Sequence, residues 1–252
     1  MQTLILKIQY DGTNYGGWQI QPNAPTIQDE VQKAISKITS EKVNLIGAGR
    51  TDTGVHARGM IAHTVLENGQ KIPLKKLILG INARLPNDIC IIDAVLTDKK
   101  FNARFDAIAR KYSYSIHLIQ SPFLQRYSTY IKYKINIDKL FDSSSVFLGE
   151  HDFTTFSKLN SDTKNYVCNV EICEWEKLND NQYVLHIKAD RFVYGMVRSI
   201  VGAMLDVARG KRSKQEIVES LSLKNRSLCS TLAPPQGLVL EKIFYPKDLN
   251  FL

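Results

Sequence analysis

Gly47-Ala48-Gly49-Arg50-Thr51-Asp52-Thr53-Gly54-Val55-His56-Ala57 sets an acid inside a glycine-rich turn, two residues after an arginine. Three glycines so close together predict backbone that takes unusual φ/ψ values or lets a ligand approach. An acid in that setting is presented rather than packed. A presented carboxylate beside a guanidinium is the minimal equipment for nucleophilic chemistry by an aspartate. Two familiar glycine-rich turns are excluded. The dinucleotide fingerprint needs G-x-G-x-x-G, and the residues after Gly49 break that spacing. The phosphate loop needs Lys and a hydroxyl after its last glycine, where Val55 and His56 stand. A plain strand-to-strand loop with Asp52 as turn-former satisfies the same residues.

Outward from the turn, the chain has room for one large or two small domains, at 252 residues and 44% hydrophobic content. No apolar run is long enough to predict a membrane span. Met1–Lys7 lacks a charged leader and a long apolar stretch, so it reads as a first strand and not a signal peptide. Together these predict a cytoplasmic protein without a membrane. The net charge of +8 favours polyanionic partners. The cations are spread along the chain, so folding would have to assemble any binding surface. Cys90, Cys168, Cys173 and Cys229 form no C-x-x-C pair and have no zinc spacing, which predicts free thiols. The histidines are scattered too, and no metal site is expected.

Periodicity predicts a strand over Leu4–Tyr10 and a helix over Ile27–Thr39, with Thr26 as N-cap and Asp29 three residues later. Val43–Ile46 and Met60–Leu66 read as strands around the glycine-rich turn. Pro73–Leu85 reads as a helix and Ile89–Val95 as a strand. In the second half, Lys111–Ile119 and Tyr127–Tyr133 read as strands and Asp138–Leu148 as helical. Tyr166–Trp175 and Tyr183–Asp190 form a hairpin across Asn179–Gln182. Met196–Arg209 is a helix, and Ser213 caps another through a Ser-x-x-Glu box with Glu216. Leu238–Tyr245 closes as a strand. Mixed elements in two halves, 1–105 and 106–252, predict an α+β fold.

The turn also belongs to a longer pattern. Gly49-Arg50-Thr51-Asp52-x-Gly54-Val55-His56 resembles the signature of the bacterial tRNA pseudouridine synthase A family. Tyr10-Asp11-Gly12-Thr13-Asn14-Tyr15-x-Gly17-Trp18-Gln19 is similar to that family's opening. Further blocks follow in family order: Gly80–Ile89, Phe101–Phe105, Arg110–Tyr114, Gly149–Phe153, Met196–Gly202 and Ala233–Leu238. The likeness runs from about residue 4 to residue 245. It implies two similar α/β halves with mixed, mainly antiparallel sheets joined around a basic cleft, and a homodimer. It implies a cofactor-free isomerisation of uridine to pseudouridine in tRNA, at positions 38 to 40 of the anticodon stem-loop.

The resemblance also gives roles to residues that their surroundings leave open. Asp52 becomes the catalytic carboxylate, acting either on the base or at the sugar's anomeric carbon. Arg198 lies in an apolar helix segment, where an arginine either snorkels to solvent or is buried with a partner; the resemblance pairs it with Asp52. Tyr112 reads as a core aromatic whose hydroxyl finds a partner. The resemblance sets it against the target uracil, where the ring can stack and the hydroxyl relay a proton. Arg50 could make a loop salt bridge worth about 0–1 kcal/mol, or enter the space left by a flipped nucleotide. Gly237 and Leu238 match the segment expected to line the base pocket, or are a turn entering a core strand. Arg104, Arg110, Lys111 and Arg191 are RNA-contact candidates or solvated charges.

Two positions depart from the family pattern. Cys168 stands where an arginine is usual, and Val239 where an aromatic is common. Both departures bear on RNA contacts, so two other readings stay open. One is the same chemistry on another tRNA or ribosomal RNA uridine. The other is a catalytically silent RNA-binding protein, which would have no reason to keep Asp52, Tyr112 and Arg198 together.

Overall fold

The computed structural model describes residues 1–69, 71–158 and 163–249. The chain divides into two compact units: Met1–Ile108 with the segment from Val239 onward, and Ala109–Leu238. The boundary expected at 105/106 thus falls a few residues later, and the C-terminal strand returns to the first unit. Strand pairing is tertiary, so nothing local in that strand announces its destination.

In the first unit, β1 (Gln2–Tyr10) is the central strand, hydrogen-bonded antiparallel to β3 (His56–Leu66) and β4 (Ile89–Thr97). Leu4, Leu6, Ile8 and Tyr10 are buried, as their alternation predicts, but so is Ile5 on the other face. A central strand covered on both sides reads as a near-continuous apolar run. The expected Val43–Ile46 strand shrinks to β2 (Ile46–Gly47), paired with β3. Val43 and Leu45 are buried without ladder pairing, their amides held by Ser36 and Gln32 side chains instead. Strand β3 begins earlier than Met60, because Val239 and Leu240 pair in parallel with His56 and Ala57.

Among the described residues, two α-helices belong to this unit. α1 spans Ile27–Thr39 with Ile27, Val31, Ala34 and Ile35 buried. Thr26 occupies its N-cap, yet the side chain makes no capping bond. Thr26 is 1% exposed, and its hydroxyl is buried without a hydrogen-bond partner among the described residues. α2 spans Leu74–Asn82, shorter than Pro73–Leu85. Pro73 is its N-cap, and the last residues leave the helix where Arg84 and Leu85 amides bond three residues back.

The second unit is built on an antiparallel path β5-β9-β8-β7, formed by β5 (Ala109–His117), β7 (Gly149–Asp152), β8 (Val167–Asn179) and β9 (Gln182–Ala189). The β8–β9 hairpin turns where expected, and Asn179 Oδ1 accepts from the Asn181 amide. The expected Tyr127–Tyr133 strand is only β6 (Thr129–Tyr130), parallel to β5. β7 carries no apolar alternation, so nothing in its residues announces a strand. The expected 138–148 helix divides into α3 (Ile137–Ser143) and a tighter turn over Ser144–Phe147. α4 (Met196–Ala208) is buried along most of its length, and Trp175 Nε1 reaches Met204 Sδ at 3.2 Å. α5 (Lys214–Leu223) has the predicted capping box, Ser213 with Glu216.

Among the described residues the last strand is β10 (Leu238–Phe244). The observed class is therefore α+β with mixed, mainly antiparallel pairing. Among the described residues, no helix is long and apolar enough to cross a membrane.

Candidate active site

Asp52 sits in the first unit, half-buried, on the turn that leads into β3. The Val55 amide donates to the Asp52 carbonyl at 3.1 Å and closes the turn. Gly54 takes φ +78°, the left-handed conformation the turn demands. Gly47 has a different reason: a Cβ there would come within 2.5 Å of the Trp18 ring. Gly49 meets nothing within 4 Å, so neither crowding nor a positive φ accounts for it. Arg50 is exposed beside this open space.

The turn does not hold itself. The Trp18 amide donates to the Thr51 carbonyl at 3.1 Å, and the Gly54 amide donates to the Tyr15 carbonyl at 3.4 Å. Thr51 and Tyr10 share a buried hydroxyl–hydroxyl bond of 2.9 Å. Gly17, at φ +96°, lies so close that a Cβ would stand 2.4 Å from the Thr51 carbonyl oxygen. The opening block of the sequence is thus the wall against which the Asp52 turn is set. Tyr10, Tyr15, Gly17 and Trp18 act on the site in this way, and sequence reasoning assigned them no role. The available signal was the unusual density of glycines and aromatics in that block.

Tyr112 and Arg198 belong to the second unit. Tyr112 is half-buried on β5, its ring edge-on to Phe192 at a centroid distance of 5.1 Å. Tyr114 lies two residues along the same strand face. It is the fully buried core tyrosine, with its hydroxyl 2.7 Å from Thr129 Oγ1 and donating to the Pro234 carbonyl at 2.8 Å. Burial raises the Tyr114 pKa well above that of an ordinary phenol, against the opposing pull of the Arg198 charge. The core-packing expectation therefore describes Tyr114 better than Tyr112.

Arg198 projects from the first turn of α4. It does not simply snorkel. Its Nε donates to the Ala233 carbonyl at 2.7 Å, and the Ala233 amide donates to the Arg198 carbonyl at 3.0 Å. The segment around Ala233 also crosses α4 at Gly202, where a Cβ would meet the Thr231 carbonyl oxygen at 2.1 Å. It continues into Gly237, whose Cβ would come within 2.8 Å of Ser115 O and Tyr114 Cζ. Gly237 and Leu238 are both buried. The second unit thereby brings Arg198, Tyr114 and Gly237 together around one strap of chain.

The basic candidates separate. Arg110 and Arg191 meet at Asp190: Arg110 Nη1 donates to its carbonyl at 2.9 Å, and the Arg191 amide donates to its carboxylate at 2.6 Å. Lys111 is half-buried opposite Lys188 on β9. Arg104 is exposed in the first unit, its guanidinium 5.6 Å from the Phe105 ring centroid. Cys168 is fully buried, and burial pushes its thiol up to about 12, so it cannot replace an arginine as a contact for an anion. Val239 is buried at the His56 register of β10.

A family model described as tRNA pseudouridine synthase matches residues 7–106 and 144–246. The chain is 40% identical over 247 residues to a tRNA pseudouridine synthase A of Thermoanaerobacter sp. (strain X514), covering 97% of this chain and 100% of that one. It is 37% identical over 249 residues to a tRNA pseudouridine synthase A of Bacteroides fragilis, covering 99% and 98%. A protein of Protochlamydia amoebophila named tRNA pseudouridine synthase A 1 is 40% identical over 254 residues, covering 98% of each.

Proposed function

The chain belongs to the tRNA pseudouridine synthase family, an isomerase family acting on tRNA uridines, and we propose that Asp52 is its nucleophile and that its targets are uridines 38 to 40 of the anticodon stem-loop. The observation that carries the first part is the Asp52 turn, half-buried and pinned at Thr51 and Gly54 to the opening block. Such a turn offers a carboxylate in one geometry, which is what a positioned nucleophile requires.

The overall change breaks the bond from uracil N1 to ribose C1′ and makes a bond from C5 to C1′. C5 gives up a proton and N1 gains one. The change is redox-neutral, so no oxidant or reductant is needed. Asp52 would attack the base or assist at C1′. Arg198 would be the guanidinium partner that the resemblance assigns to Asp52. Tyr112 would stack on the uracil and carry the C5 proton. Arg50 would fill the space left by the flipped nucleotide, offsetting lost stacking of a few kcal/mol. Gly237 and Leu238 would line the base pocket. Arg104, Arg110, Lys111 and Arg191 would contact phosphates, with binding that weakens as salt rises. The reading includes a homodimer in the cytoplasm.

The test uses purified protein, unmodified tRNA transcripts and no added cofactor or metal, with Asp52→Asn alongside. Pseudouridine is mapped by nucleotide-resolved chemical labelling. Signal at positions 38 to 40 that vanishes in Asp52→Asn, with RNA binding retained, supports both parts. Signal elsewhere keeps the chemistry and moves the target, the outcome to which the Cys168 departure would be relevant. Tight binding with no signal favours the silent binder.

A further inference from the structure

Two blocks of the sequence, Tyr10–Gln19 and Gly80–Ile89, have no part in the chemistry above, yet the fold ties them to each other and to the Asp52 turn. The Tyr15 hydroxyl donates to Asp88 Oδ1 at 2.5 Å, and the Asp11 amide donates to the Asp88 carbonyl at 2.9 Å. Asp88 therefore grips the opening block through both its side chain and its backbone. The Tyr15 carbonyl in turn accepts from the Gly54 amide, and the Tyr15 amide donates to the Gly12 carbonyl at 3.0 Å. Tyr15 is thus a hinge pin with Asp88 at its hydroxyl end and the Asp52 turn at its backbone end. Tyr15 is 6% exposed, and its hydroxyl bond to Asp88 is part-buried, so losing the acceptor would leave a largely enclosed side chain less well held.

We infer that Tyr15 and Asp88 are positioning residues for the Asp52 turn, setting the place of the carboxylate without touching the substrate. The inference rests on Asp52 being the nucleophile. The connections from Asp88 to Tyr15 and from Tyr15 to Gly54 are hydrogen bonds of 2.5 and 3.4 Å. Asp88 lies in the turn that runs directly into β4, which pairs with the central strand β1, so the anchor is one residue from the sheet. Burial, then the Asp88 carboxylate, raise the Tyr15 pKa, which keeps the hydroxyl protonated as the donor this arrangement needs. Misplacing a reacting group by about 1 Å costs on the order of a hundredfold in rate. Loosening one end of the pin should therefore be felt in turnover.

The experiment measures kcat, KM for tRNA and thermal stability for Tyr15→Phe, Asp88→Ala, Asp88→Asn and the double variant Tyr15→Phe/Asp88→Ala, with Asp52→Asn as control. Tyr15→Phe and Asp88→Ala should each lower kcat about tenfold or more, with KM within about twofold, since an interaction needed only in the transition state has been weakened. Asp88→Asn should recover most of the loss, because its amide oxygen can still accept from Tyr15. The double variant should be no worse than the worse single one, the sign of a shared contact. A Tyr15→Phe enzyme with wild-type kcat would overturn the inference, as would a rise in KM alone or additive losses. Should Asp88→Ala melt below the assay temperature, Tyr15→Phe and Asp88→Asn decide the matter. An active Asp52→Asn would instead bring down the nucleophile reading, a failure separate from this one.

Discussion

Arg198 and Ala233 hold each other in both directions. The arginine's Nε donates to the Ala233 carbonyl at 2.7 Å, while the Ala233 amide donates to the Arg198 carbonyl at 3.0 Å. The guanidinium is thereby fixed to a backbone strap at one edge, and its orientation is set by the fold of the second unit. A side chain held this way delivers a plane as well as a charge.

Arg198→Lys should therefore fail although it keeps the charge. Lysine has no Nε–H in the guanidinium plane, so the bond to Ala233 is lost. We expect isomerisation to fall at least tenfold, and Arg198→Met to be worse. Stability should change by only about 0.5–1.5 kcal/mol, the net worth of one hydrogen bond. Single-turnover rates and urea unfolding of the two variants check both expectations. A lysine variant near wild-type activity would mean that only the charge matters.

Gly202→Ala sets two opposing effects against each other. In an exposed helix the change would stabilise by about 1 kcal/mol. Here the added methyl would stand 2.1 Å from the Thr231 carbonyl oxygen. Overpacking against backbone costs about 1–3 kcal/mol, so the clash wins and the variant should be less stable. Because the strap moves with it, activity should fall too. Urea midpoints, with activity assayed well below them, give the answer.

His63 should contribute to acid sensitivity. It is buried, its Nδ1 accepts from the Ala103 amide at 3.1 Å, and burial lowers its pKa from 6.5. The folded state then binds fewer protons than the unfolded one as pH falls below 6.5. Stability is therefore present above that pH and lost as pH drops through the lowered folded value. In His63→Asn the amide oxygen can still accept from Ala103, but nothing titrates. Thermal melts between pH 7 and 5 should show a shallower decline for the variant. His117, also lowered by burial, supplies part of what remains.

Three of the thiols should divide by burial. Cys90 is exposed, whereas Cys168 and Cys173 are buried with their thiols pushed up to about 12. An alkylating reagent at neutral pH should modify Cys90 quickly, and Cys168 and Cys173 only after denaturation. Mass spectrometry of peptides from native and urea-treated protein reads this directly. The same raised values mean that stability falls as pH climbs from 9.0 toward 12.

Much of this protein was legible in the order of its residues. The apolar stripe of α1 gave that helix its observed limits, and the Ser213–Glu216 box marked the start of α5. The β8–β9 hairpin was visible in its turn residues. Periodicity, capping and turn chemistry act within a few residues, so the chain states them locally. The motif around Asp52 was equally plain, and its resemblance named the chemistry. Tertiary structure alone decided that β10 pairs with His56 and Ala57. It decided that Val43–Leu45 would pack without a ladder, that the Thr26 hydroxyl would make no capping bond to α1, and that β7 would exist at all. It alone joined Asp88 to Tyr15 and Ala233 to Arg198. Each of these depends on which distant backbone group comes within about 3 Å, and no pattern of neighbouring residues carries that distance.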